Sequence, residues 1–364
     1  MINNNHQSRF DKRLENLPNN VWKKIAEIDQ LKGQWIGGVN LHPQILGHLK
    51  KSVLITSSGA STRIEGASLS DEDVSKLMSG LLLQKFTDRD KQEVKGYYEL
   101  LKNIFDSWRY IKLSETTVQS FHKELLKYTE KDISHYGKYK KLENKVAALD
   151  EEGKMVGIIF ETTPPYLVKK EMEDLILWFN YSSKNATYHP LLIIASFLVE
   201  FLKIHPFQDG NGRLSRILTN LLLLQNGYLY IPYISHEKII EDNKQTYYLS
   251  LRNSQKTFKT TKDTILPWLD FFLGVVLKQA RLAIELLDKE NIENILSTKQ
   301  RLVWELLKSG GEFSPLEISQ KTKIARPTIN QIVNKLILLK RIEKIGLGRA
   351  TKYRVLIKEK EFTP

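Results

Sequence analysis

The 364-residue chain contains no cysteine. Disulfide bonds, zinc sites built on cysteine, iron–sulfur clusters and thiol nucleophiles are therefore excluded. Long apolar runs are also missing, because the longest one, residues 191–199, falls well short of the roughly 20 residues that span a bilayer. A secretory signal needs an apolar core, which is absent from the N-terminal residues MINNNHQSRFDKR. We expect a cytoplasmic protein that is neither exported nor embedded in a membrane.

Positive charge is concentrated at the C-terminal end. Lys and Arg number 55 against 42 Asp and Glu, so the net charge is +13, and residues 297–364 carry +9 of it. Such an excess favours nucleic-acid binding only where it is localised on one module. DNA is therefore a candidate partner of residues 297–364 alone. The alternative is a module for protein contacts whose charges are simply solvated.

Apolar periodicity divides the chain into mostly helical segments. Residues 1–20 are polar and Asn-rich, which predicts a flexible arm that is either disordered or loosely docked. Helices are predicted at 21–35, 70–77, 91–108, 116–128, 168–179, 191–204, 213–225 and 265–287, where apolar residues recur at three- and four-residue steps. The expected organisation is a flexible arm (1–20), an N-terminal helical region (21–110), an all-α core (111–275), a helical connector (276–296) and a C-terminal domain (297–364).

Two stretches depart from the helical pattern. Residues 145–160 hold the β-prone runs KVAAL and KMVGIIF around the turn sequence DEEG, and predict a β-hairpin. The C-terminal domain has helical segments at 301–308, 315–321 and 327–338, followed by β-prone runs at 341–346 and 352–357. This order is typical of a winged helix-turn-helix domain. Its DNA-facing residues would be Arg326, Thr328, Asn330, Gln331 and Asn334 on the third helix and Arg349, Lys352 and Arg354 on the wing.

The segment HPFQDGNGRLSR, residues 205–216, is the chemically densest part of the chain. Gly210 and Gly212 allow a tight turn whose N–H groups point toward the start of the next helix, where the helix dipole favours anions. Arg213 and Arg216 are three residues apart on that helix, so both can reach one anion with forked donors. The pattern therefore predicts a phosphate site.

Two further residues of this segment suggest chemistry beside the phosphates. Asp209 offers the hard oxygen ligand that Mg²⁺ takes together with phosphate oxygens and water. His205 ends the preceding helix and can accept a proton from a hydroxyl at neutral pH. Taken singly, these residues are typical of a helix cap, a turn and solvated charges. Their combination favours the phosphate site.

The segment resembles the signature HPFxDGNGRxxR of Fic-domain proteins at all nine fixed positions. The resemblance implies transfer of AMP from ATP to a hydroxyl side chain (Ser, Thr or Tyr) of a target protein or of the chain itself, with release of pyrophosphate. It implies His205 as the general base and Asp209 as the ligand of Mg²⁺. It also implies Gly210, Asn211, Gly212 and Arg213 around the α- and β-phosphates, and Arg216 on the γ-phosphate.

The resemblance extends beyond the motif. The hairpin at 145–160 is similar to the flap on which Fic targets dock, and Tyr247 and Tyr248 lie where the family lines its adenine pocket. Packing in the core is an alternative role for both tyrosines. Lys140 stands where many members have an arginine, which makes the subfamily uncertain rather than the chemistry.

A second motif resembles the inhibitory pattern [S/T]xxxE[G/N] of Fic proteins. Ser61, Glu65 and Gly66 fit it, in a position typical of the N-terminally inhibited class. The resemblance implies that Glu65 pairs with Arg216 and holds the site inactive. A plain surface glutamate is the alternative.

The expected fold is an all-α core, the Fic fold, with a β-hairpin flap, N-terminal helices and a C-terminal winged helix-turn-helix domain. The expected partners are ATP and a target protein, with DNA as a candidate partner of residues 297–364 and a second copy of the chain as a candidate partner in a homodimer. Two alternative functions stay open. One is a DNA-binding regulator in which Fic activity is secondary, and the other is removal of AMP from a modified target.

Overall fold

The structure, a computed structural model, describes residues 9–38, 41, 43–80, 88–129, 134–149, 155–288, 296–339, 341–346, 348 and 351–356. The chain divides into two compact units, Met1–Val39 with Leu46–Asp288, and Asn40–Ile45 with Lys289–Pro364. Within the described ranges, no helix has the length and apolar character needed to cross a membrane.

The described residues form fifteen α-helices and four β-strands. The first twelve helices are α1 (Arg9–Lys12), α2 (Asn19–Gly38), α3 (Pro43–Ile64), α4 (Asp71–Met78), α5 (Asp88–Ser107), α6 (Glu115–Leu126), α7 (Pro165–Asn185), α8 (Pro190–Ile204), α9 (Asn211–Gln225), α10 (His236–Glu241), α11 (Lys244–Gln255) and α12 (Leu266–Asp288). Strands β1 (Lys145–Leu149) and β2 (Met155–Glu161) lie between α6 and α7. The expected all-α core with one β-hairpin is therefore confirmed.

Helix α8 lies at the centre of the first unit. All residues from Leu191 to Leu202 are buried, as its nearly uniform apolar sequence predicts. It packs against both α7 and α9. The junction between α8 and α9 is the motif segment, so the predicted phosphate site lies at the end of the buried central helix.

The β-hairpin is antiparallel, with Lys145 opposite Glu161 and Leu149 opposite Met155. Its register shifts twice along the pair. The predicted strands are confirmed, whereas the DEEG turn at 150–153 lies outside the described residues.

The described part of the N-terminal arm makes buried contacts. The ring centroids of Phe10 and Trp178 are 5.0 Å apart. Leu14, four residues further along the chain, is also buried. Arg13 is buried and pairs with Glu200 and Asp263. Residues 9–20 of the predicted arm are therefore docked on the first unit, since Phe10 and Arg13 find buried partners far along the chain. Residues 1–8 lie outside the described residues.

Residues 276–288 of the predicted helical connector are helical and belong to the first compact unit. Helix α12 runs through this range and packs along α2, with Ala280 and Ala283 fully buried. The small apolar residues allow the two helices to approach closely, so this part belongs to the first unit. Residues 289–295 lie outside the described ranges.

The second unit contains α13 (Thr298–Lys308), α14 (Pro315–Thr322) and α15 (Arg326–Leu338), followed by β3 (Ile342–Ile345) and β4 (Lys352–Val355). The two strands pair antiparallel. Val303, Ile318 and Val333, one from each helix, share a buried core. Order and strand pairing agree with the predicted elements, while the assignment as a winged helix stays a prediction. Arg349 and residue 357 lie outside the described part of the chain.

Candidate active site

The motif loop is shaped by the turn at His205 and by hydrogen bonds between the Asn211 side chain and the main chain of Phe207. Helix α8 ends at His205, whose positive φ of 51° turns the chain out of the helix. Asn211 then accepts a hydrogen bond from Phe207 N at 2.9 Å and donates one to Phe207 O at 2.8 Å. Gly210, with a φ of 79°, stands at the N-cap of α9 and has no side chain with which to cap it. The first N–H groups of α9 are thus left for an anion.

The hydrogen bonds of Asn211 show how its side chain contributes to the predicted phosphate site. Its side-chain oxygen and nitrogen are both engaged by Phe207, so its side chain shapes the loop. Its main-chain N–H remains the group suited to a phosphate at this position.

His122 on α6, which belongs to no motif of the sequence, packs against the loop. The ring of His122 stacks on Phe207 with centroids 3.8 Å apart. Its Nδ1 accepts a hydrogen bond from Gly137 N at 3.0 Å, so Nε2 is the protonated nitrogen that donates to Asp209 O, also at 3.0 Å. The partners lie up to 87 residues apart in sequence, and a local pattern therefore holds no signal for this role.

His205 is positioned to act as a base. Its Nδ1 donates to Leu202 O at 3.2 Å, which makes Nε2 the proton acceptor of the neutral ring. Burial, with a smaller contribution from the nearby charge of Lys140, lowers the pKa of His205 to about 4, although the Leu202 carbonyl, Glu65 and Asp209 act in the opposite direction. The imidazole is therefore neutral at pH 7.

Lys140 joins the base of the hairpin to the end of α8. Its buried Nζ donates to Asn144 Oδ1 and Thr162 Oγ1, each at 2.7 Å, and to Ile204 O at 3.3 Å. Asn144 in turn donates to Phe207 O at 3.0 Å. Burial lowers the pKa of Lys140 to about 8. The residue that the sequence marked only as a departure from arginine thus connects the flap to the residue that precedes His205.

The two motif arginines are almost completely buried, with side chains only 3% and 2% exposed for Arg213 and Arg216. Arg216 donates to Ser61 Oγ and Ser61 O, both at 2.8 Å, and to Glu65 Oε1 at 2.7 Å. Arg213 Nε and Arg216 Nη1 are buried without a hydrogen-bond acceptor in the part of the chain that the structure describes. Buried cationic donors without an acceptor are costly, so these two atoms favour an anion in the site.

Asp209 presents an ionised carboxylate at the loop mouth. Burial raises its pKa, but Arg213, the Gly210 N–H and Arg89 outweigh burial and lower it overall. Oδ1 accepts a hydrogen bond from Gly210 N at 2.6 Å, and Oδ2 lies 3.0 Å from Arg213 Nη2 and 3.0 Å from Arg89 Nη2. The described residues contain no group of three or more side chains of the kinds that bind metals. A cation here would therefore depend on Asp209 and the phosphates themselves.

These residues surround one cavity of about 270 Å³. It is lined by Glu65, Asn144, Leu202, His205, Gln208, Asp209, Gly210, Asn211, Gly212, Arg213, Tyr247, Tyr248 and Leu251. Most of the predicted site residues are thus brought together, while Ser61, Gly66 and Arg216 lie outside the lining. Asn144, Leu202, Gln208 and Leu251 are additions that only the fold reveals.

The tyrosine pair forms one wall of this cavity. The rings of Tyr247 and Tyr248 meet edge to face at 5.1 Å, and Tyr247 also packs against Trp268 and Phe271. The Tyr248 hydroxyl lies 3.5 Å from the carbonyl oxygen of Ile64, at the end of α3. Tyr247 therefore packs in the core and also lines the cavity. The tyrosine pair offers an aromatic surface to a nucleotide base.

Glu65 lies over the start of α9. A Cβ at position 212 would collide with Glu65 Oε1, so Gly212 permits this close approach. Just before Glu65, Arg63 binds Glu241 at 2.5 Å, Asp71 at 2.9 Å and Leu69 O at 2.7 Å, which anchors the end of α3. Gly66 follows with a φ of 104°, a conformation that suits glycine. The carboxylate thus stands where an anion would meet both Arg216 and the helix N-terminus.

A model of the Fic/DOC family matches residues 112–223, which span α6 to α9 and the motif. Residues 112–223 of the chain are therefore assigned to a Fic/DOC domain. Its Fic domain is similar to a Fido domain-containing protein of Dictyostelium discoideum, with 36% identity over 100 residues, 28% of this chain and 66% of that protein. A probable protein adenylyltransferase of Aquifex aeolicus is 38% identical over 84 residues, 23% of this chain and 25% of that protein.

The chain thus spans just under two thirds of the first relative and a quarter of the second. The fold extends further than these sequence matches. A crystal structure of a Fic family protein from Desulfovibrio desulfuricans superposes with a TM-score of 0.63 at 24% identity, over 94% of this chain and 97% of that one. This likeness establishes the Fic fold.

Proposed function

We propose that this Fic domain transfers AMP from ATP to a hydroxyl side chain of a protein, or of the chain itself, and releases pyrophosphate. The observation that carries the proposal is a neutral His205 beside an anion site made of the α9 N-terminus and two buried arginines. The Aquifex aeolicus relative is named a probable protein adenylyltransferase, and a Caenorhabditis elegans relative a protein adenylyltransferase.

In this reaction, the N–H groups at the start of α9 and the Arg213 guanidinium bind the phosphates. Nε2 of His205 takes the proton of the target hydroxyl, whose oxygen attacks the α-phosphorus. The bond between the α-phosphorus and the bridging oxygen breaks, and the β- and γ-phosphates leave as pyrophosphate. Tyr247 and Tyr248 would pack against the adenine.

The residues present fit a magnesium ion. Asp209 supplies one ionised carboxylate, which suits a cation that takes one or two carboxylates with phosphate oxygens and water. When bound, the ion would neutralise phosphate charge. Asp209 would hold it, while His205 and the arginines keep the roles given above.

We further propose that the site is autoinhibited by Glu65. ATP needs Arg216 for its γ-phosphate, and in this structure Glu65 and Ser61 engage that guanidinium. A phosphate and the Glu65 carboxylate would also repel each other at the α9 N-terminus. ATP would then bind with its α-phosphate misaligned for attack.

Intact mass spectrometry tests the activity. The chain is incubated with Mg²⁺ and ATP, CTP, GTP or UTP, alone and with candidate target proteins. We expect a mass increase of one AMP unit with ATP, and its absence in His205→Ala. Peptide mapping then identifies the modified Ser, Thr or Tyr. No mass increase even in Glu65→Gly would contradict the proposal, and loss of AMP from a modified target would favour AMP removal.

DNA binding by the second unit is a second candidate function. Helix α15 buries Ile329 and Val333 on one face and exposes Arg326, Asn330 and Asn334 on the other. An exposed polar helix face in a basic module suits the major groove. Binding of the whole chain to duplex DNA at two salt concentrations tests this role. A loss of affinity in Arg326→Ala, with steep salt dependence, is expected, and no salt-dependent binding would refute it.

A further inference from the structure

Four charged side chains form a closed ring at the mouth of the site. Arg89 Nε lies 2.9 Å from Glu93 Oε1, and Glu93 Oε2 lies 2.8 Å from Arg213 Nη1. Arg213 Nη2 and Arg89 Nη2 both lie 3.0 Å from Asp209 Oδ2, which closes the ring. Helix α5 supplies Arg89 and Glu93 one turn apart, so an element outside the motif reaches the carboxylate expected to meet a cation.

The four members are not equally held. The side chains of Arg213 and Glu93 are only 3% and 8% exposed, and burial makes their pair hard to separate. The Arg89 side chain is 58% exposed and stands in the first turn of α5. Its head group can move into water at small cost, because exposed ion pairs contribute little. Arg89 is therefore the displaceable member of the ring.

A cation that binds Asp209 has to compete with the donors that already occupy its carboxylate. Three of the roughly four lone-pair positions of the carboxylate accept donors, from Gly210 N, Arg213 and Arg89. Two guanidinium charges also repel a divalent ion that approaches Oδ2. Arg213 is fixed by Glu93, so relief of both the crowding and the repulsion has to come from Arg89.

We propose that Arg89 is an internal counter-ion of Asp209 that competes with the divalent cation, and so sets how much cation the nucleotide complex requires. The inference rests on the proposed function, in which Asp209 holds that cation. When the cation arrives, Arg89 leaves Oδ2 and keeps its contact with Glu93. Removing the Arg89 charge then favours the cation-bound state.

Binding of Mn²⁺ to the full chain tests this competition. The free Mn²⁺ signal is followed by electron paramagnetic resonance in the presence of a non-hydrolysable ATP analogue. We expect Arg89→Gln to bind Mn²⁺ roughly two- to fivefold more tightly than the unchanged chain, as an exposed ion pair allows. The gain should shrink at high salt. Arg89→Lys keeps the charge and should stay closer to the unchanged chain.

A matched control removes the same charge from the same helix. Lys102 is exposed on α5, about 20 Å along the helix axis from Arg89 at 1.5 Å per residue. Lys102→Gln should bind Mn²⁺ like the unchanged chain, and Asp209→Asn should weaken binding whether or not Arg89 is present. A gain in Lys102→Gln equal to that in Arg89→Gln would overturn the proposal, because net charge alone would then explain it.

Two other results separate the failure of this inference from that of the proposed function. Unchanged or weaker Mn²⁺ binding in Arg89→Gln, beside normal binding in the unchanged chain, refutes the competition alone. If nucleotide binding falls as well, Arg89 is a phosphate ligand instead. Failure of both proteins to bind Mn²⁺ with nucleotide refutes the cation site of the proposed function and the inference with it.

Discussion

Replacing Glu65 with glycine removes the carboxylate that pairs with Arg216 and lies over the start of α9. We expect this variant to modify itself or a target with AMP faster than the unchanged chain. The backbone should tolerate the change, because α3 ends at Ile64 and Arg63 anchors its last turn. The effect then comes from the freed Arg216 rather than from unfolding.

The size of the gain follows from the contact that is lost. A hydrogen bond to a charged group contributes about 1.5–3 kcal/mol. The Glu65 side chain is 32% exposed, so water already weakens its pairing and the lower end applies. Freeing Arg216 for the γ-phosphate should therefore stabilise the productive ATP complex by about 1.5 kcal/mol, which corresponds to roughly a tenfold increase in kcat/KM for ATP.

Transfer of label from ATP that is radiolabelled at the α-phosphate measures this gain. Glu65→Gln keeps the size of the side chain without its charge, and should show a smaller part of the increase. Glu72→Gln on α4 removes an exposed carboxylate and serves as the control. The reasoning is refuted if Glu65→Gly and the unchanged chain are equally active. It is also refuted if the gain survives in a variant that carries Arg216→Ala as well.

Three further predictions concern the base, the loop and the N-terminal segment. Because burial lowers the pKa of His205 to about 4, its neutral form persists as pH falls, and kcat/KM should stay level from pH 7 to about pH 5. A decline centred near the ordinary histidine pKa of about 6.5 would contradict this. Asn211→Ala removes both side-chain bonds to Phe207 and should lower the free energy of unfolding by about 1–3 kcal/mol, with loss of AMP transfer; an unchanged urea midpoint would argue against its role in the loop. Arg13→Met leaves the buried Glu200 poorly paired and should cost about 3 kcal/mol in urea unfolding, whereas Lys12→Met on the exposed side should change stability by less than about 0.5 kcal/mol. Equal losses in these two variants would show that the buried pair contributes nothing.

Several contacts in the site were not predictable from local pattern. Helix α3 escaped prediction because its C-terminal half, SSGAST, is made of small residues that are buried by tertiary packing and carry no apolar periodicity. In the sequence, His122 is one histidine on an amphipathic helix. Only the folded chain brings Phe207 and Asp209 into contact with it. Arg89 likewise reads as one solvated charge among many, and only the approach of α5 to the motif loop places it on Asp209.

The N-terminal arm shows that composition alone does not reveal which side chains become buried. Its composition is typical of disorder, yet Phe10 and Arg13 are buried against residues from α7, α8 and the segment before α12. Burial of so few side chains depends on partners that are distant in sequence. Composition averages over the segment and cannot report such partners.

The sequence by itself determined the chemistry of the motif. Residues 205–216 are contiguous, so the end of α8, the tight turn at Gly210 and the spacing of Arg213 and Arg216 follow from local backbone and side-chain properties. The tertiary structure decided what surrounds that chemistry. It set the low pKa of His205 through burial, placed Glu65 on Arg216 across 151 residues and brought Arg89 to Asp209 across 120 residues. Desolvation and charge pairing depend on distance in space, and separation along the chain does not reveal it.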